Sequence, residues 1–225
     1  MRTTLLIPSL LVIAACNGGS TDTRSANAPA TTTTTTSTAT VPFFEVIGTH
    51  GENAYDHVNT SDWAAARASV DSLITAMRKN GGANAGTYYT DLLESVSRLD
   101  TAVNLHSRID GLRYANHVTG IGARLAEGEN TPVPAAVTML DYYGRELEIG
   151  ALAADTTQLS RAAFGISTTW AGLRPQVVTR GGDNEALRFD TVVRAVTASK
   201  TPPQYAKVAT PVLDQVDALE AVFTR

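Results

Sequence analysis

The chain has 225 residues and a formal net charge of −4, with 22 acidic and 18 basic residues. No basic stripe is present to neutralise phosphates, so the composition argues against a nucleic-acid partner. The single cysteine excludes an intrachain disulfide, so the fold must depend on an apolar core. The length allows one sizeable domain or two small ones.

The first 15 residues have the organisation of a secretory signal peptide. Arg2 supplies the positive charge, and an apolar core runs from Leu5 to Ile13. This run is interrupted by Pro8, and it is shorter than the roughly 20 apolar residues that a membrane-spanning helix needs. We therefore predict that residues 1–15 are a cleaved signal.

The signal ends at the only cysteine, Cys16. The sequence Val12-Ile13-Ala14-Ala15-Cys16 resembles the lipobox of bacterial lipoproteins. The resemblance implies cleavage before Cys16, diacylation of its thiol and acylation of the new amino terminus. It therefore implies a cell-envelope protein whose first partner is membrane lipid. Asn17, in place of aspartate, resembles the pattern of lipoproteins sorted to the outer membrane and facing the periplasm, where an organism has two membranes.

Residues 16–41 contain the lipidation site and then a linker of small polar residues. Six consecutive threonines occupy residues 31–36, and Asp22 and Arg24 are the only charges. Such a segment buries too little apolar surface to offset its conformational entropy, so it is predicted to be disordered. Chain scaling gives an average reach of about 25–30 Å, which suits a tether.

Residues 42–225 show helical periodicity almost throughout, and no segment alternates with the period of a strand. We predict an all-α domain, an antiparallel bundle of seven or eight helices. The first three predicted helical segments are residues 43–58, a helix starting at Trp63 after Asp62, and residues 88–125 with a break near 100–106. The remaining segments are residues 134–154, a helix after Asp155 whose apolar stripe ends before Pro175, a helix after Gly182, and a helix from Pro202 that contains Pro211.

The two halves of this domain show a weak internal repeat. Gly51 recurs as Gly144 at an offset of 93, and Arg67-Ala68 recurs as Arg161-Ala162 at an offset of 94. The proline-containing segment 127–134 is the candidate boundary between the halves. The domain is therefore also compatible with two pseudo-repeated four-helix units.

All four histidines lie in the first half, which suggests a metal site as one interpretation. His50 and His57 are seven residues apart, and His106 and His117 are eleven apart, with Asp110 nearby. Imidazole and carboxylate suit zinc, iron or copper. No tight ligand pair such as HxxxH or ExxH is present, and scattered histidines on amphipathic helices are more often hydrogen-bonded boundary residues. We therefore predict no cofactor and keep a metal ion as the alternative.

The segment Gly48-Thr49-His50-Gly51-Glu52 resembles the GxHxxE motif of imelysin-like periplasmic helical proteins. That family is associated with iron, so the resemblance implies an iron-binding role. The acid follows the histidine by two residues where the motif has three. On a helix this turns Glu52 about 200° away from His50.

A polar cluster at residues 141–148 interrupts an otherwise apolar helix. We consider two interpretations for its members: a polar binding pocket, or ion pairs between helices that fix their register, and we prefer the second. The candidate pocket residues are Asn116, Thr119, Tyr143, Arg145 and Glu146.

No catalytic motif such as GxSxG, HExxH or a P-loop is present, so we assign no catalytic residue. The sequence thus favours a lipid-anchored envelope protein with a non-enzymatic binding or scaffolding domain, whose further partner is an envelope protein or a small ligand. The alternative is an imelysin-like metal-binding protein of the periplasm, and an enzyme ranks third.

Overall fold

Eight α-helices make up the domain in the computed structural model, which describes residues 41–81 and 85–225. No strand occurs within these residues. The first four helices are α1 (Phe43–Asn59), α2 (Trp63–Ala76), α3 (Tyr89–Asn104) and α4 (Arg108–Leu125). The last four are α5 (Ala135–Ala153), α6 (Thr156–Thr179), α7 (Asp183–Ala198) and α8 (Pro202–Phe223). The predicted all-α bundle is therefore confirmed. The predicted signal peptide, Cys16 and the threonine-rich linker as far as residue 40 lie outside the described residues.

Side-chain caps begin several helices where the sequence predicted them. The Asp62 carboxylate accepts a hydrogen bond from the Ala65 amide at 3.0 Å and starts α2. Asp155 accepts from the amides of Thr157 and Gln158 and starts α6. These bonds satisfy amide groups that have no partner inside the helix. The break predicted near residues 100–106 is also confirmed, because α3 ends at Asn104 and His106 has a φ of 52°.

Helix α6 extends further than its apolar stripe suggested. The stripe was expected to end before Pro175, but the helix continues through this residue to Thr179. Proline removes one backbone hydrogen bond, yet Pro175 is exposed and Val177, one half-turn later, is fully buried. Packing of the last turn thus outweighs the local disruption.

The helices are arranged as two four-helix units with the same order of neighbours. In the first unit α1 packs against α2 and α4, and α3 packs against the same two helices. In the second unit α5 packs against α6 and α8, and α7 packs against these two. Each unit contains its own apolar core, and contacts between α4 and α5 join the units into one compact body.

The helix boundaries repeat with nearly the spacing seen in the sequence. Helix α3 begins at residue 89 and α7 at residue 183, while α4 and α8 begin at residues 108 and 202, so both pairs are 94 residues apart. The turn before α2 contains Ser61 with a φ of 60°, and the turn before α6 contains Ala154, 93 residues later, with a φ of 53°. In both turns the next residue is the aspartate that caps the following helix. The two four-helix units therefore share their local geometry as well as their order of packing.

None of the helices in residues 41–81 and 85–225 combines the length and the apolar character that crossing a bilayer requires.

Candidate functional site at the junction of the two units

Helices α1 and α5 hold equivalent positions in the two units; both pack against α4, and side chains from the two helices meet there. Both run antiparallel to α4, since Gly111 lies beside Val58 near the end of α1, and Asn116 bonds to Glu146 in the second half of α5. Helices α1 and α5 are therefore parallel to each other. Residues 93 apart consequently lie at the same height along this pair.

Tyr55 and Glu148 form the direct hydrogen bond across this junction. The Tyr55 hydroxyl donates to Glu148 Oε2 at 2.8 Å, and the two residues are 93 positions apart. The Arg145 guanidinium lies over the Tyr55 ring, with its central carbon 4.7 Å from the ring centroid. Burial raises the pKa of Tyr55 above its usual range, and the neighbouring Glu148 carboxylate adds to this effect. Tyr55 therefore stays a neutral donor at physiological pH.

Arg145 is the buried cation of the junction. Only 9 % of this residue is exposed, and its Nε lies 2.9 Å from Asp141 Oδ2. Burial opposes the charge, but the carboxylates of Asp141 and Glu52 outweigh it and hold the pKa of Arg145 above its ordinary value. Its Nη1 atom is buried and has no hydrogen-bond partner in the described part of the chain. Arg145 thus keeps one donor that the helices do not satisfy.

Glu52 faces the same region from α1, and it is only partly exposed. It makes no hydrogen bond or ion pair with any residue in the described ranges. Burial raises the pKa of Glu52 to about 7; Arg145 opposes this rise, and the carboxylates of Asp141, Glu220 and Asp56 add to it. The pKa of Asp141 is also raised, because the effect of burial exceeds the opposing effect of the Arg145 charge.

A cavity of about 440 Å³ lies beside Glu52, between the first turns of α1 and α5 and the end of α4. Its charged lining residues are Glu45 and Glu52, and both are acids. Gly48 also lines it, and a Cβ added at Gly48 would meet no atom within 4 Å. The other lining residues are mainly apolar or carry hydroxyl groups, namely Phe44, Thr49, Gly122, Ala123, Ala126, Thr131, Pro132, Val133, Ala135, Thr138 and Thr224.

Glu146 belongs to a second polar cluster, on the face of α5 that contacts α4 and α6. The side-chain amide of Asn116 donates to Glu146 Oε1 at 2.8 Å, and that of Gln158 donates to Oε2 at 2.9 Å. Burial raises the pKa of Glu146, while these two hydrogen bonds lower it. The carboxyl group is therefore held by neutral amides and fixes three helices relative to one another.

The five residues predicted to form one polar pocket lie in three different parts of the domain. Tyr143 and Glu146 line a separate cavity of about 300 Å³, and Asn116 donates a hydrogen bond to Glu146. Arg145 lies on a different face of α5, about 100° from Glu146, and contacts Tyr55 of α1. Thr119 contacts Gly51 where α1 crosses α4, and its hydroxyl donates to the Ala115 carbonyl at 3.4 Å. The sequence thus identified polar positions that matter for packing, but it did not show that they face different neighbours.

The predicted metal ligands occupy several different environments. His50 and His57 lie on α1, while His106 lies in the α3–α4 turn with its ring stacked on Trp63 at 4.7 Å. Asp110 accepts hydrogen bonds from Ser107 and Arg113. Burial lowers the pKa of His117, and Arg113 and Arg124 lower it further. Within residues 41–81 and 85–225, no group of three or more His, Cys, Asp or Glu side chains is arranged to hold a metal ion.

No protein-family model, curated protein or solved structure matches this chain.

Sequence analysis did not identify Tyr55 as a site residue or the position of Glu52 beside a cavity, and it placed Asp141 and Glu148 in the polar cluster without assigning their partners. A signal for them was present in the repeat. The offset of 93 that relates Gly51 to Gly144 also relates Glu52 to Arg145 and Tyr55 to Glu148. The offset predicts which residues lie near each other only once α1 and α5 are known to run parallel.

Proposed function

We propose that this protein is a cell-envelope lipoprotein, anchored to a membrane through acylated Cys16, whose helical domain has a non-enzymatic binding role. The observation that supports the envelope location is the sequence Val12-Ile13-Ala14-Ala15-Cys16 after a short apolar core. A lone cysteine in an exported chain has a chemical use as a thioether anchor. Two or more acyl chains give stable anchoring, since each buried methylene contributes about 0.8 kcal/mol.

The binding role is supported by the junction between the two units. Glu52 and the Nη1 donor of Arg145 are polar groups that the described helices leave without hydrogen-bond partners. Buried or half-buried polar groups usually have partners, and those that lack one are candidates for contact with a ligand. The cavity beside Glu52 falls within the 300–1,000 Å³ range that is typical of small-molecule sites.

Mass spectrometry of the amino-terminal peptide tests the anchor. The full chain is expressed in a bacterial host that processes lipoproteins, and the Cys16→Ser variant serves as the matched control. We expect the wild-type peptide to begin at Cys16 with the added mass of its acyl chains, and the protein to partition into the detergent phase. The variant is expected to lack the acyl mass and to remain in the aqueous phase. An unmodified amino terminus upstream of Cys16 in the wild type would overturn the proposed address.

A further inference from the structure

The charged and apolar residues that line the cavity beside Glu52 indicate which class of ligand it binds. We propose that it binds a small organic ammonium ion, with the apolar body against the cavity wall and the charged nitrogen at the Glu52 carboxylate. This inference rests on the proposed binding role and names the class of ligand.

The charge of the lining selects a cation. Glu45 and Glu52 are the charged residues of the cavity lining, and further carboxylates of Asp56, Asp141 and Glu220 act on Glu52 from its surroundings. In the described part of the chain, the cation that acts on Glu52 is Arg145, whose Nε lies beside Asp141 and which forms no ion pair with Glu52. An anionic ligand would meet two carboxylates with no free cation in the lining. An ammonium ion would instead supply the donor that Glu52 lacks.

The remaining lining selects an organic cation over a metal ion. Calcium and magnesium require several oxygen ligands at short distance. No group of three or more His, Cys, Asp or Glu side chains in the described part of the chain is arranged to hold a metal ion. Six of the fourteen residues that line the cavity are apolar, namely Phe44, Ala123, Ala126, Pro132, Val133 and Ala135. Apolar surface of this kind gains free energy by covering a hydrocarbon body. The threonine hydroxyls at the wall provide acceptors for the other N–H groups of an ammonium head.

The protonation of Glu52 couples binding to pH. Because the pKa of Glu52 is about 7, a fraction of the side chains is neutral near physiological pH. Ammonium binding requires the carboxylate, so affinity should rise as the pH increases from about 6 to about 8. The charged groups facing Glu52 are Arg145 and Asp141 on α5, Glu220 on α8 and Asp56 on α1.

Calorimetric titration of the full-length protein, reconstituted in phosphatidylcholine nanodiscs, tests the proposal with n-hexylammonium as the probe. Empty nanodiscs give the background, n-hexanol and hexanoate vary the head group on the same chain, and methylammonium removes the chain. We expect saturable binding of n-hexylammonium at pH 8. We expect affinities at least about tenfold lower for the other three, since a charge-assisted hydrogen bond and the apolar body each contribute more than one factor of ten.

Three variants locate the site. Glu52→Gln should weaken binding of n-hexylammonium by about tenfold or more, because it removes the charge and keeps the shape. Asp214→Asn is the control; Asp214 is an exposed acid on α8 that does not line the cavity, and we expect less than about a threefold change. Gly48→Leu adds an apolar side chain at a lining position where a new Cβ would meet no atom within 4 Å, so it should compete with the ligand for the cavity and abolish binding, while the circular dichroism spectrum stays unchanged.

Equal affinity for n-hexanol and n-hexylammonium, or wild-type affinity in Glu52→Gln, would overturn the proposal. If Gly48→Leu does not fold, Glu52→Gln alone still decides the matter. A result that refutes the proposed ligand can be distinguished from one that refutes the proposed membrane anchor, because acylation of Cys16 is measured in a separate experiment. A lipidated protein that binds no amine would refute only the ligand, and an unlipidated protein that binds the amine would refute only the anchor.

Discussion

Glu52 should make the folded protein less stable as the pH rises through neutrality. Its pKa is raised from an ordinary value of 4.5 to about 7 in the folded state, chiefly by burial. The folded state therefore binds this proton more tightly than the unfolded state does. The resulting stabilisation is fully present below the unfolded pKa near 4.5, and it is lost as the pH rises to the folded pKa near 7.

The size of this effect follows from the shift in pKa. A change of one in pKa corresponds to about 1.4 kcal/mol, which gives an upper limit of about 3.5 kcal/mol for the whole change in the pKa of Glu52. Glu52 is only partly buried, so screening by solvent reduces the expected value to about 1–2 kcal/mol.

The Glu52→Gln substitution isolates the pH-dependent contribution of Glu52 to the free energy of unfolding, because glutamine keeps the size of the protonated acid and never ionises. We expect the variant to match the wild type at pH 4, below the unfolded pKa, and to be more stable by about 1–2 kcal/mol at pH 8.5. Urea denaturation of the full chain, followed by circular dichroism, measures the free energy of unfolding at both values. Glu45→Gln, an exposed acid on the same helix, should change neither. A Glu52→Gln variant that is less stable than wild type at pH 8.5 would refute the reasoning, since Glu52 would then be engaged in a favourable ion pair.

Two further predictions concern the packing around the junction. Arg145→Met should lower the free energy of unfolding by about 3–5 kcal/mol, because it leaves the partly buried Asp141 without its cation. Adding Asp141→Asn should recover much of this loss, and a double variant as unstable as the sum of both single variants would contradict the pairing. Gly51→Ala should destabilise by about 1–3 kcal/mol, because the new Cβ would lie 2.7 Å from the Thr119 hydroxyl and 3.0 Å from its backbone nitrogen. Gly48→Ala, one turn earlier in open space, should instead stabilise by about 0.5–1 kcal/mol, and equal effects of the two in urea denaturation would refute this distinction.

Local chemistry determined most of the helix boundaries that the sequence predicted. Asp62 and Asp155 could be identified as helix starts because capping depends on residues within one turn. The end of α6 was missed for the opposite reason. Pro175 is a local signal for termination, and the burial of Val177 against other helices, which overrides it, is not visible in the local sequence.

The candidate site was harder to predict, because it depends on which helix faces lie together. The histidine spacing could relate His106 and His117 only on a continuous helix, and the turn at residues 105–107 separates them. The polar run on α5 was recognised, but Arg145 and Glu146 are about 100° apart on the helix and face different partners. Periodicity identifies a face, and only tertiary packing identifies its neighbour.

The repeat explains why the junction carries unlike residues at equivalent positions. Where side chains of two parallel, equivalent helices meet, residues from equivalent positions face each other, so identical charged residues there would repel each other. This chain places Glu52 opposite Arg145 and Tyr55 opposite Glu148, which turns each such pair into a complementary one. The two sides of the junction then differ: Arg145 is drawn to Asp141 on its own helix, and Glu52 is left facing the cavity without a hydrogen-bond partner in the described residues. The unlike residues at equivalent positions thus account for the hydrogen bond between Tyr55 and Glu148 and for the position of Glu52 beside the cavity.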